Sequence, residues 1–267
     1  MIGISTYAFV WRANPERAHP LTIEQQMDVT AGLGCGLFQI CDQARLEAAR
    51  ADDLRTLRRH ADGLGLVLEV GTRGVESDHL RHHLWVAEML GAGFVRSMLS
   101  SSRDTPSVDA AVDSLRAVMP EYEAAGVSLG LETYEQFSSQ ELVDVVERVA
   151  SPRLGICLDP GNSVGRLEHP MDVARTCAKY VVNHHVKDFG FTRLEGGVGF
   201  KFAGAPLGTG LLDHDGVCAV LAEAGTGQVN KVIEHWLTRG ADIESTSTTE
   251  AQWVVNSVAF LRARERS

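Results

Sequence analysis

The sequence predicts an α/β protein folded as a single (β/α)8, or TIM, barrel. Three observations carry this expectation. Short apolar runs alternate strictly with longer segments of helical period, which is the pattern of parallel βαβ units. The repeat is about 33 residues, so a chain of 267 residues accommodates eight units, close to the typical barrel of about 250. The competing doubly wound sheet carries a glycine-rich phosphate loop after its first strand. Here the first run is followed by "TYAFVWRANPER".

In chain order the expected strands are "IGIS" (2–5), "LFQI" (37–40), "LVLEV" (66–70), "FVRS" (94–97), "SLGLE" (128–132), "LGICLD" (154–159), "VVNHHVK" (181–187) and "KVIE" (231–234). Helical segments fall near 22–33, 52–64, 77–90, 107–125, 138–149, 170–179, 213–223 and 248–264. "TIEQ" and "SSQE" place a hydroxyl three residues before an acid or amide, as in a capping box. Gly34, Gly65, Gly93 and Gly126 punctuate the passages from helix to strand. The longest irregular stretch expected is 188–212, rich in Gly and Phe, and its length suggests a functional loop.

Composition narrows the functional classes. With 25 Lys and Arg against 35 Asp and Glu, the formal charge is −10. That argues against nucleic acid, whose affinity rests on cations facing phosphates. Cys35, Cys41, Cys157, Cys177 and Cys218 are odd in number and form no CxxC pair. No disulfide framework or thiolate zinc site is expected, only small buried hydrophobes. "MIGIST" reads directly as a strand, with no charged region and apolar run before it. No apolar run approaches the ~20 residues of a membrane span. The expectation is one cytoplasmic domain over 1–267 with no membrane partner.

Strand parity locates the chemistry. Alternate strand residues point to opposite faces, and barrel active sites sit at the C-terminal strand ends. In "SLGLE", Glu132 shares a face with Gly130 and Ser128, opposite the two leucines. In "LGICLD", Asp159 shares a face with Cys157 and Gly155. In "KVIE", Glu234 is in register with Val232. Large apolar residues belong outward against the helices, so each acid is aimed at the barrel axis. In "VVNHHVK" the same rule sends Asn183, His185 and Lys187 inward. His184 goes outward, as a packing residue bonded locally.

Glu132, Asp159, His185 and Glu234 thus converge from the fifth to the eighth strand. Buried unpaired carboxylates are costly, so the set calls for a cation, a shared proton or water. Mixed oxygen and imidazole donors without sulfur suit one divalent ion, Mn²⁺ first, with Mg²⁺, Co²⁺ or Zn²⁺ as alternatives.

The motifs "GLETYE", "LGICLDPGNS", "HHVKDF", "APLGTGLLD" and "VIEHW" resemble the xylose isomerase-like TIM barrels, a group of sugar phosphate isomerases and epimerases. The resemblance implies that Glu132, Asp159, His185 and Glu234 bind one divalent metal. It also implies that Glu132 and Glu234 act as an acid/base pair. Three residues after the sixth-strand Asp the family often carries a substrate-binding His. Here Asn162 stands there, which puts that contact in doubt. The fold is shared with abasic-site endonucleases, but Thr6, Gln39 and Gly71 stand where those enzymes need further ligands. Nothing in "PLGTGLLD" reads as a Walker-type phosphate loop.

The first functional expectation is a metal-dependent isomerase or epimerase of a small sugar or keto-sugar, working through an enediolate. The alternative is a decarboxylase or other lyase of a 3-oxo sugar acid, which leaves the same enediolate when CO₂ departs. Arg73 in "GTRG" and Arg96 in "FVRS" favour the alternative, because either could grip a substrate carboxylate. Each could instead pair with Glu69 or Asp42. "QICDQ", "EVGTRG" and "GFKFAG" together resemble family members of sugar-acid catabolism. Tyr7, Phe9 and Trp11, Phe200 and Phe202, and Trp236 are expected to cover the substrate and exclude water. Phe200 and Phe202 could instead pack a homo-oligomer. Lys187 is expected to bond a substrate oxygen or pair with Glu234 or Asp188, and Asp188 to orient a loop. A non-catalytic metal-binding scaffold is a third class, disfavoured by the intact acid/base pair.

Overall fold

The computed structural model describes residues 1–265; the last two positions of the expected domain lie outside the described residues. The elements run β1 (Ile2–Ser5), α1 (Ile23–Gly32), β2 (Leu37–Cys41), α2 (Ala44–Glu47), α3 (Ala51–Leu64), β3 (Val67–Gly71), α4 (Ser77–Leu90), β4 (Phe94–Ser97), α5 (Val108–Ala125) and β5 (Ser128–Glu132). They continue with α6 (Ser139–Val149), β6 (Leu154–Leu158), α7 (Pro160–Ser163), α8 (Pro170–Cys177), β7 (Val181–Val186), β8 (Phe189–Arg193), β9 (Phe200–Gly204), α9 (His214–Glu223), β10 (Lys231–Ile233) and α10 (Ile243–Glu265). Eight strands close into a barrel in the order β1-β10-β7-β6-β5-β4-β3-β2, with β8 and β9 apart as a two-stranded sheet. Every barrel pairing is parallel.

Local chemistry fixes the element starts. Thr22 with Gln25, and Ser138 with Glu141, form the two expected capping boxes. Gly65, Gly91 and Gly126 close α3, α4 and α5 in the left-handed conformation, where a side chain would be strained. The outward strand residues Ile4, Phe38, Val70, Val95, Leu129, Leu131, Ile156 and Leu158 are buried in one core between barrel and helices. Inside the barrel, glycine makes room for bulk: a Cβ on Gly130 would lie 2.6 Å from the Phe94 ring.

The interior also holds a carboxylate. Glu69 accepts from Gln39 (2.9 Å), Asn183 (2.9 Å) and Asn230 (2.7 Å), closing a polar layer beneath the mouth. Burial raises its pKa even against these three amides.

Two features differ from the sequence expectation. The stretch expected to be irregular contains an antiparallel hairpin, β8 with β9, paired from Phe189↔Gly204 to Arg193↔Phe200. His184 does face the helices, but it has no local bond. Both ring nitrogens lack a partner, and the ring stacks on His214 of α9 at 5.8 Å.

Asp188 organises the loop that follows the hairpin. Its Oδ1 accepts from the amides of Phe189 (2.8 Å) and Leu212 (3.0 Å). Its Oδ2 accepts from Gly208 and Gly210, each at 2.9 Å. Gly210 is required there, since a Cβ would come within 2.3 Å of Asp188 Oδ1. Glu250 of α10 holds the segment after β1. It accepts from the amides of Trp11 (2.9 Å) and Arg12 (2.8 Å).

Two outcomes follow. Asp188→Ala strands several buried amides, each worth roughly 1–3 kcal/mol. It is expected to lower the unfolding free energy by about 3 kcal/mol in urea titration, and a loss below about 1 kcal/mol would contradict the stapling role. Glu250, pushed up by burial to about 7 from 4.5, keeps its proton in the folded state while the unfolded chain releases it. Stability should therefore fall as pH rises from about 4.5 to about 7. Thermal melts across this range should show a shallower fall for Glu250→Gln than for the parent.

Candidate active site and metal centre

The strand ends bring four side chains to one point on the barrel axis. One ligand atom from each of Glu132, Asp159, His185 and Glu234 lies within 4.8 Å of the others, and all four residues are buried. Parity set this: Glu132 ends β5, His185 is the penultimate residue of β7, and Asp159 and Glu234 directly follow β6 and β10. Asp159 is also the N-cap of α7, with Pro160 next. Its Oδ1 accepts from the amides of Gly161 (3.1 Å) and Asn162 (3.3 Å), which turns Oδ2 toward the centre. The Thr133 hydroxyl donates to the Asp159 carbonyl and accepts from its amide, both at 2.8 Å.

Charge around the centre is unbalanced. Glu132 Oε2 pairs with Arg96 Nε at 2.9 Å. Lys187 Nζ bridges Asp159 Oδ2 at 2.7 Å and Glu234 Oε2 at 3.1 Å. Asp42 pairs with Arg73 at 2.9 Å and with Arg96 at 3.3 Å. Four carboxylates thus share three cations. His185 Nδ1 lies 3.5 Å from Glu132 and 3.4 Å from Glu234. Neither ring nitrogen of His185, nor Oε1 of Glu234, has a hydrogen-bond partner. Orphaned buried donors and acceptors around an excess of negative charge fit a divalent cation of the oxygen- and imidazole-binding class.

The same crowding shifts the acidities of these groups. Burial raises the Asp159 carboxyl to about 6, even though Lys187 pulls it down. At Glu132 burial is overcome, first by Arg96 and then by His185, and the carboxyl falls to about 2. Burial opposes the charged form of Lys187 as well, but Asp159 and Glu234 raise its pKa well above the ordinary lysine range.

A cavity of about 260 Å³ opens above this centre. Tyr7, Trp11, Arg73, Arg96, Asn162, Lys187 and Trp236 line it. The Trp11 indole donates to the Leu237 carbonyl at 2.7 Å, and Lys187 Nζ sits 4.3 Å above the Trp236 ring. Asn162 donates to Glu132 Oε1 at 2.7 Å. Arg73 is half-exposed, with Nε on Asp42 and Nη2 on the Tyr7 hydroxyl at 2.6 Å.

Of the two alternatives for Arg96, a grip on a substrate carboxylate or a pair with Glu69 or Asp42, the structure shows the Asp42 pair: Arg96 is fully buried and committed to Glu132, to Asp42 and to the Thr72 carbonyl at 2.6 Å, so its guanidinium is not a free fork. Three expectations need correction. Phe200 is 60% exposed. It lies beneath Arg193 on the hairpin and away from the cavity, because the β8–β9 pairing turns it outward. Phe202 acts only indirectly, with its ring edge-on to Trp236 at 5.4 Å. Phe9 is a core residue against Phe38.

Sequence reasoning missed Asp42, Met98, Tyr134, His235 and Glu250. Asp42 was considered only as an arginine partner, yet it joins Tyr7, Arg73 and Arg96, and its φ of 52° marks a sharp turn at the end of β2. Its position just beyond a strand end was the available signal. Met98, Tyr134, His235 and Glu250 line the cavity without a local sequence signature; Glu250 arrives from the last helix.

No helix among the described residues is long and apolar enough to cross a membrane. The profile of the family described as xylose isomerase-like TIM barrel matches residues 27–264. The 3-oxo-isoapionate decarboxylase of Pectobacterium atrosepticum is 45% identical over 263 residues, covering 98% of this chain and 95% of that protein. Among solved structures, a D-psicose 3-epimerase determined in the presence of D-fructose superposes with a TM-score of 0.74 at 15% identity, covering 98% of both chains. The D-psicose 3-epimerase of Clostridium cellulolyticum H10 with D-tagatose gives 0.73 at 18% identity, again covering 98% of both. At such identities these two structures speak for the fold alone. The chain is an enzyme of the xylose isomerase-like TIM barrel family.

Proposed function

We propose that this enzyme is a divalent-metal-dependent decarboxylase of a 3-oxo sugar acid. The observation that carries the reading is the 45% identity to the 3-oxo-isoapionate decarboxylase along 98% of the chain. The geometry agrees with it. An epimerase needs a free carboxylate on each side of the reacting carbon. Here Glu132 Oε2 is ion-paired with Arg96 and Oε1 accepts from Asn162, so neither oxygen is uncommitted. Decarboxylation needs no base at carbon. It needs a grip on the leaving carboxylate, stabilisation of the enediolate and one proton afterwards.

Glu132, Asp159, His185 and Glu234 would hold the metal, Mn²⁺ first among Mn²⁺, Mg²⁺, Co²⁺ and Zn²⁺. When bound, the ion supplies positive charge where the enediolate oxygens develop. Arg73 takes the substrate carboxylate at the cavity wall, held at the correct angle by Asp42 and Tyr7. The C1–C2 bond breaks, CO₂ leaves, and the electron pair moves into the C3 carbonyl. Lys187 adds a fixed positive charge beside the same oxygens. Glu234, with Oε1 free of hydrogen bonds, passes to C2 one proton that it takes up from water. Tyr7, Trp11 and Trp236 keep water from the enediolate.

Metal analysis checks the ligand set. Asp159→Ala and His185→Ala are expected to lose the ion and turnover, a larger effect than the roughly 10- to 100-fold cost of an outer-shell change. Full activity of either variant after chelation would end the metal reading. The reaction is checked by assaying a panel of ketoses and 3-oxo sugar acids in D₂O by NMR. CO₂ release is expected, with one deuterium trapped on the carbon that bore the carboxylate, next to the carbonyl of the shortened product. Deuterium entering a ketose without CO₂ release would assign an isomerase or epimerase instead.

A further inference from the structure

The described residues contain a second group of convergent metal-binding side chains, Glu47, His79 and His83, whose ligand atoms lie within 4.8 Å of one another. It owes nothing to the barrel axis. Glu47 ends α2, and His79 and His83 are one turn apart on α4. Residues four apart on a helix share a face, and their rings here sit 4.4 Å apart, centroid to centroid. We propose that these three side chains form an accessory site for a divalent transition metal of the zinc class.

The bonding of His83 points to a cation. Its side chain is 2% exposed, and Nδ1 lies 3.1 Å from the His79 carbonyl. A carbonyl can only accept, so Nδ1 carries the proton. In the neutral ring Nε2 is then a bare lone pair, and it faces Glu47 Oε1 at 3.7 Å. Two acceptors facing each other repel, and a cation between them satisfies both. A ligating histidine commonly donates its second ring nitrogen to a backbone carbonyl, which fixes the ring. His79 is fixed in turn, with Nε2 2.7 Å from the Thr72 hydroxyl.

Two imidazoles and one carboxylate are a known zinc donor set that leaves a fourth position open. That position has somewhere to face. Glu47 and His79 line a cavity of about 550 Å³ whose wall also carries Arg73, Arg103 and Ser101. The site is nitrogen-rich, whereas the centre on the barrel axis has three carboxylates. The two should therefore load with different preference, zinc favouring the imidazoles.

The test is zinc stoichiometry of the purified full-length protein by mass spectrometry after dialysis against Zn²⁺. The parent chain is expected to hold two ions. His79→Asn and Asp159→Asn should each hold one, and the double variant none. Glu47→Gln, at a half-exposed position, repeats the measurement with little risk to folding and should weaken the same ion at least tenfold. Histidine nitrogen shifts in NMR should move at His83 on Zn²⁺ addition to Asp159→Asn. If His79→Asn and Glu47→Gln bind as much zinc as the parent, Glu47 and His83 are an ion pair only and the site does not exist. If instead only Asp159→Asn binds as much as the parent, the axial reading fails and this one stands.

Discussion

The structure depends on the accumulation of negative charge at one end of the barrel axis. Parallel strand topology delivers Glu132, Asp159 and Glu234 to the same few ångströms, because their strands end at the same level. Without compensation that arrangement would be strongly unfavourable. Each neighbouring feature is a response to it. Arg96 lies fully buried against Glu132, Lys187 spans Asp159 and Glu234, and the orphaned His185 nitrogens leave a place for a metal. Arg96 is in turn kept in place by Asp42 and the Thr72 carbonyl, which extends the charge network toward the rim and Arg73. The polar layer around Glu69 lies below, where three amides rather than cations face the carboxylate.

This arrangement explains how one framework supports related chemistries. Stabilising an enediolate is common to isomerisation, epimerisation and decarboxylation. What differs is which groups are free to move protons and which grip the part of the substrate that leaves. In this chain Asn162 and Arg96 occupy both oxygens of Glu132, while a half-exposed arginine stands at the cavity wall.

Much of this was legible in the sequence, for a specific reason. Strand periodicity is two, so a single apolar residue fixes the direction of every neighbour. That sufficed to separate His185 from His184 and to aim Glu132, Asp159 and Glu234 inward. Parity says nothing about partners, however. His184 was expected to hydrogen-bond and instead stacks on His214, a contact between segments about 30 residues apart. Parity left Arg96 either facing a substrate or paired with Glu69 or Asp42, because its partners come from the ends of β2, β3 and β5. Phe200 sits in a hairpin whose glycine-rich turn resembled an irregular loop, and only the pairing register reveals that it points outward. Glu250 reaches the mouth from the last helix, which no local pattern announces.

The hairpin β8–β9 is attached to the barrel at few points. Asp188 and its amides anchor its base, Ala205 donates to the Asp188 carbonyl at 3.0 Å, and Gly204 donates to the Trp236 carbonyl at 3.1 Å. Beyond those anchors, residues from Thr192 to Lys201 make no contribution to the barrel core. The hairpin is therefore a cassette. Its tip can lengthen, shorten or change composition across descendants of one ancestor without disturbing the strands that carry the chemistry.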